Sequence, residues 1–122
     1  MSYISMLNEN LREAEEKLSK LEAAKPKLED IQSEFKAKAH LCTDPALSGK
    51  TYKGEHADDF EEIRTDLKER YLHISDTQLE GTLQQIEKEI TNAKNQIAML
   101  KQQITAEEAN IKAQEARKAK AQ

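Results

Sequence analysis

Apolar residues recur at three- and four-residue spacing along nearly the whole chain, and the pattern stops once, over residues 43–54. Spacing of this kind puts every apolar side chain on one stripe of an α-helix, whereas a strand would require alternation. A helix, one break and a second helix leave few folds available. The expected class is all-α, an elongated antiparallel helical hairpin of coiled-coil type with a long second helix. The expected layout is a single domain over residues 1–122, with a helix over about 5–40, a loop over about 43–54, a helix over about 55–118 and a frayed tail.

In the first arm the stripe is Ile4, Leu7, Leu11, Ala14, Leu18, Leu21, Leu28 and Phe35. Glu13/Lys17, Glu16/Lys20 and Glu34/Lys38 lie four apart with the acid first, the order that supports a helix by a few tenths of a kcal/mol per pair. Pro26 removes one backbone hydrogen bond and disfavours helical geometry at Lys25. Because Leu21 and Leu28 keep the heptad phase across it, the sequence predicts a kinked helix at Pro26 and no loop.

Thr43-Asp44-Pro45 and Leu47-Ser48-Gly49 supply turn formers and helix breakers. Beyond Gly54, Glu55, Asp58, Asp59, Glu61 and Glu62 fall where a helix N-terminus favours negative charge, and Lys112, Arg117, Lys118 and Lys120 gather at the far end. That gradient suits one helix of ~95 Å, against ~54 Å for the first arm. Its stripe begins Phe60, Ile63, Leu67 and ends Leu79, Leu83, Ile86, Ile90, Ala93, Ile97, Leu100, Ile104, Ile111. Tyr71, Ser75 and Leu79 fall four apart in between, a spacing that locally unwinds a supercoil. Gly81 weakens a helix by about 1 kcal/mol relative to Ala without ending it, so a third helix starting near Thr82 is the alternative. Folding back at the loop pairs residue 41 with about 55 and residue 4 with about 92. On that register Ile97, Leu100, Ile104 and Ile111 have no intramolecular mate and form a docking overhang.

Composition closes off other classes. With 34% charged residues, 4% aromatic residues and no Trp, a chain this short cannot build a large isotropic core. The formal charge is −4 with both signs interleaved, which lacks the basic footprint of a nucleic-acid binder. The apolar periodicity argues against disorder except at the ends. The single cysteine, Cys42, forms no internal disulfide. The first residues lack the basic and apolar regions of a cleaved signal peptide, and no apolar run approaches the ~20 residues of a membrane span. The expected location is cytoplasmic, with export only by a route that needs no cleaved signal.

Three chemical patterns are weaker than they look. Gly49-Lys50-Thr51 matches the end of a phosphate-binding loop, but Asp44 stands where the loop's first glycine belongs and no apolar strand precedes it. His40, Cys42 and His56 flank the break at no zinc-ligand spacing. Cys42 with those histidines resembles a nucleophile and base, yet a two-helix hairpin supplies no pocket or oxyanion site. The expectation is a non-enzyme with no catalytic, cofactor or metal site. Tyr52-Lys53-Gly54 is more informative, because an aromatic at a hairpin tip can cover Leu41 or Phe60 while Gly54 permits the turn into the next helix.

A family resemblance runs through these segments. Ser2-Tyr3-Ile4-Ser5, Lys17-Leu18 through Ala24, Lys27-Leu28-Glu29-Asp30, Tyr52-Lys53-Gly54 with Ala57 and Phe60, and Ile74-Ser75 with Thr77-Gln78-Leu79 resemble the YwqH-like family of small helical proteins of Gram-positive bacteria. Those proteins are similar to the Trp-x-Gly hairpins of type VII secretion and are typically encoded beside toxins with an N-terminal LXG domain. The resemblance implies an adaptor that binds the toxin's helical targeting domain, keeps it soluble and assists its export. Tyr52 stands where the Trp-x-Gly motif has tryptophan. The chain also lacks an aromatic-x-x-x-acid export signal, since Phe35, Phe60 and Tyr71 are followed at that spacing by Ala39, Arg64 and Ser75, so the partner would supply it.

The expected partner-binding residues are Tyr52, Gly54, Phe60, Ile97, Leu100, Ile104 and Ile111. The implied partners are an LXG-domain toxin and, beside it, a second small helical protein, with no nucleic acid and no membrane insertion. The competing expectation is a structural coiled coil that homodimerises through its C-terminal overhang. A prefoldin-like chaperone is a weaker alternative, because nothing in residues 43–54 matches the β-hairpin such proteins carry between their helices.

Overall fold

The structure is a computed structural model and describes residues 2–44 and 55–121, with side chains from residue 58 onward in the second stretch. The described residues are all-α, as the periodicity requires, and the fold is that of a helical hairpin. Helix α1 spans Tyr3–Lys38 and tightens into a 3₁₀ turn at Ala39–Cys42. Helix α2 spans Glu55–His73, a π-helical segment covers Ile74–Leu79, and helix α3 spans Glu80–Ala121.

Pro26 lies inside α1 without ending it. Gly81 is likewise inside α3, and His73 and Glu80, which flank the π segment, keep right-handed helical dihedrals. The second arm is therefore one helical path, and the third helix near Thr82 does not form. The π segment contains Ser75 and Leu79, two of the residues whose four-apart spacing predicted local unwinding, and its wider turn supplies that unwinding.

The chain divides into two compact units. In the first, Met1–Ala23 with Glu87–Gln122, the two arms run antiparallel. Leu7, Ala14, Leu100 and Ile104 form its buried cluster, with Leu11 and Ile97 packed against it. Lys17 Nζ reaches Glu89 Oε2 at 3.4 Å across the pair. The observed register differs from the one expected from a short loop. Residue 17 lies opposite 89, and Leu7 packs in the cluster of Leu100 and Ile104, so the first arm meets the second about ten residues further along than the expected pairing of 4 with 92.

In the second unit, Ala24–Ile86, the seam is partly polar. Phe35 and Tyr71 stack with ring centroids 4.7 Å apart. One turn away Ser75 is fully buried, and its hydroxyl donates to the Leu72 carbonyl at 3.0 Å. Gln32 Nε2 donates to the Ser75 carbonyl at 2.8 Å and to Glu80 Oε2 at 2.9 Å. Lys36 Nζ stands 3.7 Å from Asp76 Oδ1. Side-chain bonding to backbone carbonyls is how a helix tolerates a wide turn inside a packed seam.

Candidate partner-binding surfaces

Three of the seven residues expected to bind a partner are interior residues of the first unit. Leu100 is 5% exposed and Ile104 9%, and Ile97 packs on the same cluster. The expectation that they form an unmated overhang is incorrect, because the shifted register brings Leu7, Leu11 and Ala14 onto them. With the first helix starting at Tyr3 and Leu7 already beside Leu100 and Ile104, the surplus of α3 begins beyond Ile104. That surplus carries one large aliphatic, the half-buried Ile111, and is otherwise alanine and polar residues. A homodimer through an apolar C-terminal overhang loses its basis with it.

Among the described residues, the longest row of exposed large apolar side chains lies on α2 instead. Phe60, Ile63 and Leu67 were expected to begin the second-arm stripe, but they are 47%, 63% and 53% exposed. Arg64, Lys68, Tyr71 and Ser75 occupy the inward positions. Arg64 is buried and donates from Nε to the Cys42 carbonyl at 3.2 Å, which satisfies one of the orphan acceptors at the end of the first-arm helix. Its guanidinium carbon also lies 5.8 Å from the Phe60 ring centroid. Because Arg64 stands beside the end of the 3₁₀ turn, Phe60 and Ile63 lie beyond the helical part of the first arm. Leu67, on a helical projection, falls at the edge of the line through Arg64, Lys68, Tyr71 and Ser75, on the side of Ile63.

The same helix holds the chain's charge excess. Within α2 the seven acids Glu55, Asp58, Asp59, Glu61, Glu62, Asp66 and Glu69 are offset by the three bases Arg64, Lys68 and Arg70, so α2 alone accounts for the formal −4 of the whole chain. Two of the three cations are engaged, Arg64 at Cys42 and Arg70 at Asp66, 3.1 Å away. On a helical projection Asp59, Glu62 and Asp66 border the Phe60, Ile63, Leu67 stripe on the side away from the seam, with Arg70, held by Asp66, among them. The arrangement is an apolar ridge with an acidic margin.

The family profile that matches this chain is the one described as YwqH-like, and it matches residues 1–116. The chain belongs to the YwqH-like family. No curated protein and no solved structure matches it. In this YwqH-like chain Tyr52 and Gly54, both expected at a recognition tip, lie outside the described residues. So do Gly49-Lys50-Thr51 and the side chain of His56. His40 contacts the Ala37 carbonyl through Nδ1 at 2.8 Å and lies 3.7 Å from Asp44. Among the described residues no group of three His, Cys, Asp or Glu side chains is placed to hold a metal ion, and no helix is long and apolar enough to cross a membrane.

A shallow groove of about 420 Å³ in the first unit is lined by Glu15, Leu18, Ser19, Glu22, Ile97 and Lys101. Its two apolar residues are flanked by opposite charges, so it offers no apolar chamber for a small ligand. Sequence reasoning placed Ser75 on the facing line with Tyr71 and Leu79, and it missed Gln32 and Arg64, the other polar residues of the seam. The available signal was the run Arg64, Lys68, Tyr71, Ser75, Leu79, which keeps helical spacing as well as Phe60, Ile63, Leu67 does.

Proposed function

We propose that this protein is a non-enzymatic adaptor that binds the helical N-terminal targeting domain of an LXG-type toxin and assists its passage through a type VII secretion system. The family match over residues 1–116 carries the reading, since the YwqH-like resemblance is what implies an LXG partner. The architecture is compatible with it: a helical protein that exposes Phe60, Ile63 and Leu67 in sequence order on one helix offers a surface for another helix. By the same reading the protein acts in the cytoplasm, where it keeps the toxin's targeting helices soluble, and a second small helical protein joins the complex.

Co-expression tests this directly. The tagged full chain, co-expressed with the N-terminal domain of an LXG-type toxin, is expected to retain that domain through size-exclusion chromatography. Expression of the toxin domain alone is expected to give aggregated protein. A toxin domain that is soluble by itself and elutes apart from this chain would defeat the adaptor role.

A further inference from the structure

We infer that the exposed face of α2 built from Phe60, Ile63 and Leu67 is the docking surface for a partner helix, and that this helix carries an apolar stripe bordered by lysine or arginine. The inference deepens the adaptor reading and rests on it for the existence of a partner. The face has the geometry for the task. Positions 60, 63 and 67 recur at three and four, the spacing by which one helix presents anchors to another. Ile63 and Leu67 are more than half exposed and Phe60 is 47% exposed, although buried apolar side chains are available to the seam elsewhere, as at Leu83 and Ala93.

Charge selects the occupant. Seven acids and three bases fall within Glu55–His73, Arg64 is turned into the seam, and Arg70 is held by Asp66. A helix laid along this ridge meets the carboxylates of Asp59 and Glu62 beside the Asp66–Arg70 pair, a margin that stays net negative, so cationic flanks gain affinity and on-rate while anionic flanks lose both. A second copy of this chain is a poor fit. Two α2 faces in self-contact would oppose their acidic margins. The chain's own basic stretch, around Lys112, Arg117, Lys118 and Lys120, carries Ile111 as its one large aliphatic. It lacks the row of anchors that the ridge would meet. Against these two, charge and anchor spacing favour a helix from a different polypeptide.

The test uses the full chain and two synthetic amphipathic helical peptides with the same leucine stripe, one flanked by lysine and one by glutamate, with binding followed by titration calorimetry. The lysine peptide is expected to bind, and the glutamate peptide to bind at least about tenfold more weakly. Raising the salt concentration should narrow that gap by screening. I63S/L67S should weaken the lysine peptide at least about tenfold without changing the melting temperature, and M99S, at an exposed site in the other unit, should leave binding unchanged. Equal affinity for both peptides, or wild-type affinity in I63S/L67S, overturns the inference. Self-association abolished by I63S/L67S also overturns it, by making a second copy the occupant. The adaptor reading fails separately. If the lysine peptide binds here while the LXG domain forms no complex, the surface stands and the adaptor role falls. An LXG complex intact in I63S/L67S gives the converse.

Discussion

Replacing Leu100 with Ala separates an interior position from an overhang by its effect on stability. Leu100 is 5% exposed and lies in the cluster with Leu7, Ala14 and Ile104, flanked by Leu11 and Ile97. Truncating a buried leucine removes its transfer free energy and leaves a cavity, at 2–5 kcal/mol in total across proteins, with the spread set by how well the site collapses (about 2–5). A seam between two helices is thin and close to solvent, so its neighbours relax readily, and the expected loss is about 2–3 kcal/mol. For a chain of this length each kcal/mol moves the melting temperature by about 4 °C, which gives a drop of about 8–12 °C. Ile63→Ala is the matched control. Ile63 is 63% exposed, so its truncation should stay within about 0.5 kcal/mol. Thermal and urea unfolding followed by far-UV circular dichroism measure both variants. A wild-type melting temperature for L100A, with a large drop for I63A, would refute the register and place position 100 back on an overhang.

Other consequences follow from single contacts. Gly81 sits in α3 with nothing within 4 Å of the position a Cβ would take, so Gly81→Ala should raise stability by up to about 1 kcal/mol through helix propensity, read from the urea midpoint. The Phe35–Tyr71 stack should show a coupling of about 0.5–1.5 kcal/mol in a double-mutant cycle to leucine, and additivity would remove the ring contact as a stabilising feature. Glu9 has its carboxyl held below the usual range, first by a hydrogen bond from Arg12 and then by that guanidinium's charge. Since the folded value is lowered, the stabilisation is present above the ordinary carboxylate range and is lost as pH falls through the lowered value. Both groups are exposed, so the readout is an NMR titration of Glu9, which Arg12→Gln should return to the ordinary range.

The helical class, the unbroken first helix and the break after residue 42 were legible in the sequence because three-and-four spacing has no other economical reading. The far stripe from Leu83 to Ile104 was legible for the same reason, as its buried members Leu83, Ala93, Leu100 and Ile104 confirm. The register was not. Turn formers mark that a chain reverses but do not fix how many residues the reversal spans. An antiparallel helix pair can slide until specific contacts, here Leu7 against Leu100 and Ile104 and Arg64 at Cys42, select one pairing. That single slip moved Ile97, Leu100 and Ile104 from docking surface to interior. At the near end of the second arm, hydrophobicity pointed to Phe60, Ile63 and Leu67 as the inward face. The π segment and the Gln32, Arg64 and Ser75 hydrogen bonds allow a partly polar seam to replace them. An apolar stripe read from sequence shows that a face needs cover, and here it does not say whether the same chain supplies it.

Amide hydrogen exchange of the full chain, alone and with the LXG targeting domain added, tests the central claim most directly. Residues 97–104 should already be protected in the free protein and gain little on complex formation, because their mates are in the same chain. Residues 60–67 should exchange faster in the free protein and gain protection when the partner binds. The account is contradicted if residues 97–104 exchange freely alone and become protected in the complex while 60–67 do not change.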